Sequence, residues 1–272
     1  MGNTSPKFAN PPLVETVASA QFAPLDGFST ALVGWFWKGG FLSKEWTQVA
    51  EAPRLEDQFE KFDGKGGWGR HAIKLLPPGQ PERIQIIQRG GDRMIQVQNT
   101  RFIFNWRKQE GNYPGYTVLA QEFRELFAQF QSFLRGAGFE DGARLNQWEI
   151  TYVNHLPKGE LWDSPKDWGK IFPKLYYPAE GPGATLDTMG GNWRYTIGGK
   201  GRLYVAMEHA KTMPPDMEGG EVLALNLTAR GPIGGDHGVP LGEGLNLGHD
   251  SIVNSFTAMT SSEAQRHWER RD

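Results

Sequence analysis

The histidines and carboxylates of the last third of the chain are the residues most able to do metal chemistry. A metal site would draw on His209, Asp236, His237, His249 and Asp250. None of them has the i,i+4 helical spacing or the tight clustering that is typical of metal-ligand motifs. The pattern therefore favours neither a metal nor another cofactor.

Nucleophilic catalysis has little support in the sequence. The chain contains no cysteine and no G-x-S-x-G nucleophile elbow. Glu15, Glu149 and Glu208 fall in segments with strand alternation, where a buried carboxylate could act as an acid or base. One carboxylate per strand is usually a polar-face residue. We therefore predict no catalytic residue and do not favour an enzyme.

Arginines interleaved with aromatic residues suggest a third chemistry. Arg101, Arg107, Arg194 and Arg202 lie near Trp and Tyr residues, and a sheet that exposes rings and arginines can stack single-stranded nucleic acid. The rings, however, follow the buried side of the alternation. The net charge of −2 gives no general preference for polyanions. Direct nucleic-acid binding is therefore an alternative, but not the favoured one.

Composition sets the class of protein. The 272 residues include 10 Trp, 16 Phe and 7 Tyr, which predicts a large core built from aromatic rings. Without cysteine there is no disulfide or thiolate ligand. Residues 1–12 are predicted to be a disordered leader without signal-peptide character. No apolar run approaches the about 18 residues of a membrane span, so the expected location is the cytoplasm.

The first half of the chain predicts a strand, a helix, three strands and a second helix. The helix at 28–52 is interrupted by Gly39-Gly40, and the helix at 117–135 carries a Phe-rich stripe. The apolar parity of 94–106 changes near Asn99-Thr100, which predicts one long bent strand with a bulge or a sharp coil there. In order, the elements are strand 13–22, helix 28–52, a glycine loop at 64–69, strand 71–76, hairpin arms 84–88 and 94–106, and helix 117–135.

The second half predicts the same order again. Its last helix is expected to begin at Asp250 as N-cap, after a glycine-rich loop at 231–248, with a further turn opening at Thr260. The elements are strand 145–156, a weak helix around 168–175, strands 193–197, 203–207 and 221–229, and the final helix.

This repeated order predicts the fold class. We expect an α+β protein of two tandem, pseudo-duplicated β-α-β-β-β-α units, whose antiparallel sheets pack on long helices. The first unit spans 13–138 and the second 145–272, packed together as one body. The repeat is one of element order, because the two halves share little residue identity.

Two sets of residues are candidate binding sites. A partner-binding surface would consist of Arg101, Arg107, Arg194, Arg202, Asp236, His237 and His249. A ligand cavity between a coiled sheet and the Phe-rich helix would be lined by Phe102, Phe104, Phe127, Trp148 and Tyr152, with Glu149 or His155 as its polar group.

Three segments carry a resemblance to a known family. They are the opening strand from Asn10-Pro11-Pro12-Leu13-Val14-Glu15, the strand at 148–156, and the closing segment from Gly248-His249-Asp250-Ser251 to Trp268-Glu269. Together they resemble a sporadically distributed bacterial family of similar length without a settled activity. The resemblance supplies no catalytic residues. It implies an accessory gene in a mobile defence, CRISPR-associated or toxin–antitoxin context.

The combined prediction is a non-enzymatic accessory or binding protein. It would act through a protein partner, a nucleoprotein complex or a second copy of itself, and away from membranes. The alternative is a protein or enzyme that binds a small apolar ligand in the cavity defined above.

Overall fold

The computed structural model of the protein describes residues 5–62, 83–176, 181–211 and 220–271. The predicted glycine loop at 64–69 and the strand at 71–76 lie outside these residues. Five α-helices accompany the strands of the described part. They are α1 (Thr30–Lys38), α2 (Tyr116–Gly136), α3 (Trp168–Ile171), α4 (Leu241–Met259) and α5 (Ser262–His267).

A nine-stranded antiparallel sheet forms the centre of the fold. Its strands are β2 (Leu13–Phe22), β3 (Trp46–Ala52), β4 (Arg83–Gln88), β5 (Arg93–Gln98), β6 (Arg101–Arg107), β7 (Leu145–Pro157), β8 (Gly191–Ile197), β9 (Gly201–Lys211) and β10 (Glu221–Pro232). Their order across the sheet is β3-β4-β5-β6-β2-β7-β10-β9-β8. The prediction of a mixed fold with antiparallel strands and long helices is confirmed.

Aromatic rings fill the space between α2 and the sheet. The Phe-rich helix predicted at 117–135 is confirmed, because α2 buries Leu119, Phe123, Phe127, Phe130, Phe133 and Leu134. Phe130 stacks on Phe102 of β6 with ring centroids 5.0 Å apart and meets Phe36 of α1 edge-on at 5.4 Å. Full burial of each such ring contributes about 1.5–3 kcal/mol. This stripe therefore fixes α2 against the sheet.

Glycines in α4 allow that helix to approach the sheet around Trp148, which is fully buried. A Cβ atom on Gly248 would lie 2.5 Å from Ile150 Cγ2 and 2.9 Å from Trp148 Cζ3. The prediction of a loop at 231–248 followed by a helix from Asp250 was therefore wrong in part. The helix begins at Leu241, since its glycines serve close packing rather than a turn.

The predicted long bent strand at 94–106 is two strands. β5 and β6 are joined at Asn99-Thr100, where Gln98 pairs with Arg101. The change of apolar parity comes from reversal of the chain, and no bulge is needed to explain it.

The predicted second part of helix 28–52 is a strand. α1 ends before Gly40, whose φ of 89° favours glycine, and Trp46–Ala52 then pairs with β4 at the edge of the sheet. The β-prone residues Thr47 and Val49 fit this outcome.

The predicted leader at 1–12 contains ordered structure. β1 (Lys7–Phe8) pairs with β11 (Arg270–Arg271) in a two-stranded sheet. Phe8 also packs edge-on against Phe256 of α4, with centroids 5.4 Å apart. The opening segment thus forms part of the wall beside α4.

The two faces of the large sheet differ in chemistry. On β7, Trp148 and Tyr152 point towards the helices, whereas Glu149 and His155 point to the opposite face, because alternate side chains of a strand do so. The residues of the predicted cavity therefore lie on both faces of the sheet. None of the described helices is long and apolar enough to cross a membrane.

Candidate functional site

A row of four polar side chains crosses the sheet on the face opposite the helices, here called the polar face. Gln98, Arg101, Gln21 and Gln147 are direct cross-strand neighbours on β5, β6, β2 and β7. We call these four residues the glutamine row. Each is at most 3% exposed. The large majority of buried polar side-chain atoms in folded proteins have hydrogen-bond partners, so partners are expected here.

The partners come from residues 53–62, which run across the glutamine row and are here called the strap. Gln98 donates from Nε2 to the Leu55 carbonyl and accepts from the Leu55 N–H at Oε1, both at 3.0 Å. Gln21 makes the same reciprocal pair with Gln58, at 2.9 and 3.1 Å. Each amide side chain thus binds a main-chain N–H and C=O together, as a neighbouring strand would.

The other two residues of the glutamine row also bind the strap. Arg101 donates to the Glu56 carbonyl at 2.9 Å, and the Glu60 N–H donates to Gln147 Oε1 at 3.0 Å. From β5 to β7 the sheet spans three strand spacings, about 14 Å, while five extended residues span about 16 Å. An extended main chain lying across the strands therefore matches the pitch of the row.

An arginine pair holds the carboxylate at the end of the strap. Glu60 accepts from Tyr204 at 2.6 Å and from Arg230 Nε at 2.9 Å, and it also pairs with Arg202. The Glu60 side chain is only 6% exposed. Burial alone raises the pKa of Glu60, but hydrogen bonds from Tyr204, Arg202 and Arg230 outweigh it and lower the pKa below its ordinary value.

Further charges of the polar face are paired around the strap. Glu149 lies 3.5 Å from Arg101 Nη1 and 3.2 Å from Arg230 Nη1. Near the middle of the strap, Thr100 donates to Asp57 at 2.6 Å. The chain's own segment therefore occupies a site with charge and main-chain complementarity.

The strap leaves some of the hydrogen-bonding capacity of the polar face unused. Gln147 Nε2, Ser19 Oγ and Asn226 Oδ1 are buried and find no hydrogen-bond partner within the described part of the chain. Gln147 thus binds the strap with only one half of its amide, unlike Gln21 and Gln98. A carbonyl placed near Gln147 Nε2 would complete the row.

A second region lies on the helix side of the sheet. A cavity of about 1010 Å³, here called the helix groove, is bounded by residues 5–13, residues 112–117 and α4. Tyr152 hydrogen-bonds His249 Nδ1 at 2.7 Å, and the Tyr113 and Tyr152 hydroxyls lie 3.3 Å apart. The Tyr116 ring stacks on His249 with centroids 3.9 Å apart.

The histidine and tyrosine side chains inside the helix groove are uncharged at neutral pH. Burial lowers the pKa of His249 to about 4, against an opposing effect of Asp250. Burial likewise raises the pKa of Tyr152 and of Tyr113. The cluster therefore offers neutral hydrogen-bonding groups at pH 7.

The structure divides the predicted partner-binding residues among several places. Arg101 and Arg202 meet the strap, and exposed His237 lies 5.4 Å from the Phe62 ring at its end. His249 is on the other side of the sheet, in the helix groove. Arg107 donates to the Gly91 carbonyl, while Arg194 and Asp236 are exposed.

The predicted cavity residues are also separated. Phe102, Phe104 and Phe127 belong to the aromatic core beside α2. Trp148 fills the space below α4, and Tyr152 alone of the set lines the helix groove. Glu149 and His155 lie on the polar face, where partial burial lowers the pKa of His155.

Sequence reasoning missed the residues that form the polar-face site. Gln21, Gln98, Gln147, Glu60, Tyr204 and Arg230 were not singled out. The three glutamines occupy polar positions in alternating strands, which was the available signal. That signal indicates a face, but it does not indicate which residues of different strands are neighbours.

Comparison with known proteins adds no functional assignment. The chain matches no protein-family model and no curated protein. Within the described ranges, no three His, Asp or Glu side chains are grouped as metal ligands would be. The family resemblance of the closing segment thus stays a prediction, and the geometry carries the functional argument.

Proposed function

We propose that the protein is a non-enzymatic binding protein that recognises an extended polypeptide segment along the glutamine row. The strap would be its intramolecular occupant, which a segment of a protein partner replaces. The observation that carries this proposal is that Gln98 and Gln21 each hydrogen-bond both the N–H and the carbonyl of one strap residue. Main-chain hydrogen bonds give affinity for extended chains of many sequences.

Side-chain selectivity would come from the arginine pair. Arg202, Arg230 and Tyr204 surround one carboxylate, and a desolvated pair of arginines without an acid would be costly. The favoured partner segment therefore has an acidic residue two positions after the residue bound by Gln21, as Glu60 follows Gln58.

The proposed site fits a duplicated architecture. β2 and β7 are neighbours at the middle of the sheet, and each is followed along the chain by further strands and a long helix. If the units are duplicates, the glutamine row crosses the junction between them. Such a junction suits a non-enzymatic accessory protein of the cytoplasm, in the mobile defence, CRISPR-associated or toxin–antitoxin setting implied by the family resemblance.

The proposal is tested by loosening the strap and offering the same segment in trans. In Glu60→Lys, a cation replaces the carboxylate between Arg202 and Arg230, so the strap should leave the row. A fluorescent peptide of residues 53–62 should then bind the full-length variant at least about tenfold more tightly than the unmodified protein. Fluorescence anisotropy measures both affinities.

Two further variants make the result specific. Phe59→Ala changes an exposed strap residue and should leave peptide affinity at the unmodified level. Gln21→Ala added to Glu60→Lys should abolish the gain. A Glu60→Lys protein that keeps a cooperative thermal transition yet binds the peptide no better than the unmodified protein contradicts the proposal.

A further inference from the structure

The helix groove is separate from the polypeptide site, because the sheet lies between them. Its volume of about 1010 Å³ is at the upper end of the range for small-molecule sites. Six rings line it, namely Phe8, Tyr113, Tyr116, Tyr152, His249 and Phe256. Ring-lined cavities of this size bury the apolar body of a small ligand.

The hydroxyl and imidazole groups of the groove form a short chain. Tyr152 lies between Tyr113 and His249 and hydrogen-bonds the histidine at Nδ1. Within the described residues, no hydrogen bond is made to His249 Nε2. Nε2 is a donor or an acceptor according to which nitrogen carries the proton. An amide or hydroxyl group of a ligand can match either form.

The charges around the groove give no net preference for an ion. Lys7 and Arg271 are balanced by Asp250 and Glu269 among the lining residues, and Ser5 donates to Asp250 at 2.6 Å. The inner groups are neutral rings. The four charged side chains are exposed, so a charged ligand among the inner rings would lose hydration without a buried counter-ion beside it.

We propose that the helix groove binds an uncharged small molecule that has an aromatic body and an amide or hydroxyl group hydrogen-bonded to His249 Nε2. Aromatic surface of the ligand packs against Phe8, Tyr113 and Phe256. The site operates independently of the strap, since no strap residue lines it.

Three probes of similar shape test the charge class. Benzamide is neutral, benzoate is an anion and benzylamine is a cation at neutral pH. Saturation-transfer NMR on the full-length protein should detect benzamide, with much weaker signals from the two ions. Stronger binding of benzoate or benzylamine than of benzamide overturns the proposed ligand class, and the absence of benzamide binding at millimolar concentration overturns the site.

Two shape-conserving variants test the location. His249→Phe keeps a ring against Tyr116 but removes both nitrogens, and should weaken benzamide about threefold to tenfold, the usual effect of one lost hydrogen bond. Tyr152→Phe should weaken it less, because that hydroxyl orients His249. Tyr195→Phe, on exposed β8, is the matched control and should change nothing. Equal affinity in all three variants contradicts the proposed location.

Discussion

The polar face and the helix groove are built from alternate residues of the same strand, yet they differ in almost every property. Gln147 and Glu149 of β7 face the strap, and Tyr152 faces the groove. The polar face is rich in charge and filled by the chain itself, whereas the groove is uncharged inside and open. A single strand can therefore support two kinds of recognition, because its side chains alternate between two environments.

Trp148 lies on the helix side of β7, below α4, and offers the largest test of the independence of the two regions. Trp148→Ala removes a fully buried indole below α4 and should lower the free energy of unfolding by about 3–5 kcal/mol. Urea denaturation measures this loss. Benzamide binding should fall because α4 forms the groove wall, while the strap keeps its contacts. Trp35→Ala, at a 47% exposed tryptophan, is the control and should have a much smaller effect.

The stability of the polar face should depend strongly on the Glu60 carboxylate. Glu60→Gln keeps the shape of the side chain but leaves Arg202 and Arg230 without their charge partner, so we expect a loss of about 3 kcal/mol. Chemical denaturation at pH 7 measures it. A change below about 0.5 kcal/mol, the level of an ordinary surface substitution, contradicts the role given to this carboxylate.

Lowering the pH should destabilise the two regions in different pH ranges, beginning with the helix groove. The pKa of His249 is about 4 in the folded protein, below its ordinary value of 6.5, so the unfolded chain takes up a proton first as pH falls. Stability is thus lost between pH 6.5 and 4, by about 3 kcal/mol at most. His249→Phe should flatten this part of the pH profile. If NMR shows that His249 itself titrates near pH 6.5, the argument that burial lowers its pKa is contradicted.

The stabilisation provided by the polar face should be lost at a lower pH than that of the helix groove. The pKa of Glu60 is lowered from its ordinary value of 4.5, so the stabilisation by its carboxylate is complete above pH 4.5 and is lost as pH falls below it. Stability curves of the unmodified protein and Glu60→Gln should therefore converge only below pH 4.5. Convergence already at pH 6 excludes Glu60 as the group responsible.

The smallest effect is expected at the exposed side of the strap. Phe59 is 60% exposed, and Phe59→Ala should change the free energy of unfolding by no more than about 0.5 kcal/mol. Urea denaturation measures the change. A larger loss means that the strap is held by the packing of its side chains rather than by its main-chain hydrogen bonds and the Glu60 carboxylate.

Local patterns were enough to predict most elements. Alternation in 13–22 and 145–156 and the Phe stripe of 117–135 predicted β2, β7 and α2, because periodicity directly reports which side of an element is buried. Some local patterns led to wrong predictions, because the residues that formed them serve tertiary packing instead. The glycines of α4 suggested a loop, although they make room for Trp148.

Both candidate sites were decided by the tertiary structure. The sequence determined that Gln21, Gln98 and Gln147 are polar positions in strands, and that Tyr152 and His249 have hydrogen-bonding side chains. Only the order and register of the strands made the three glutamines neighbours and placed the strap across them. The physical reason is that periodicity is a property of adjacent residues, whereas a binding site depends on contacts between residues far apart in the chain.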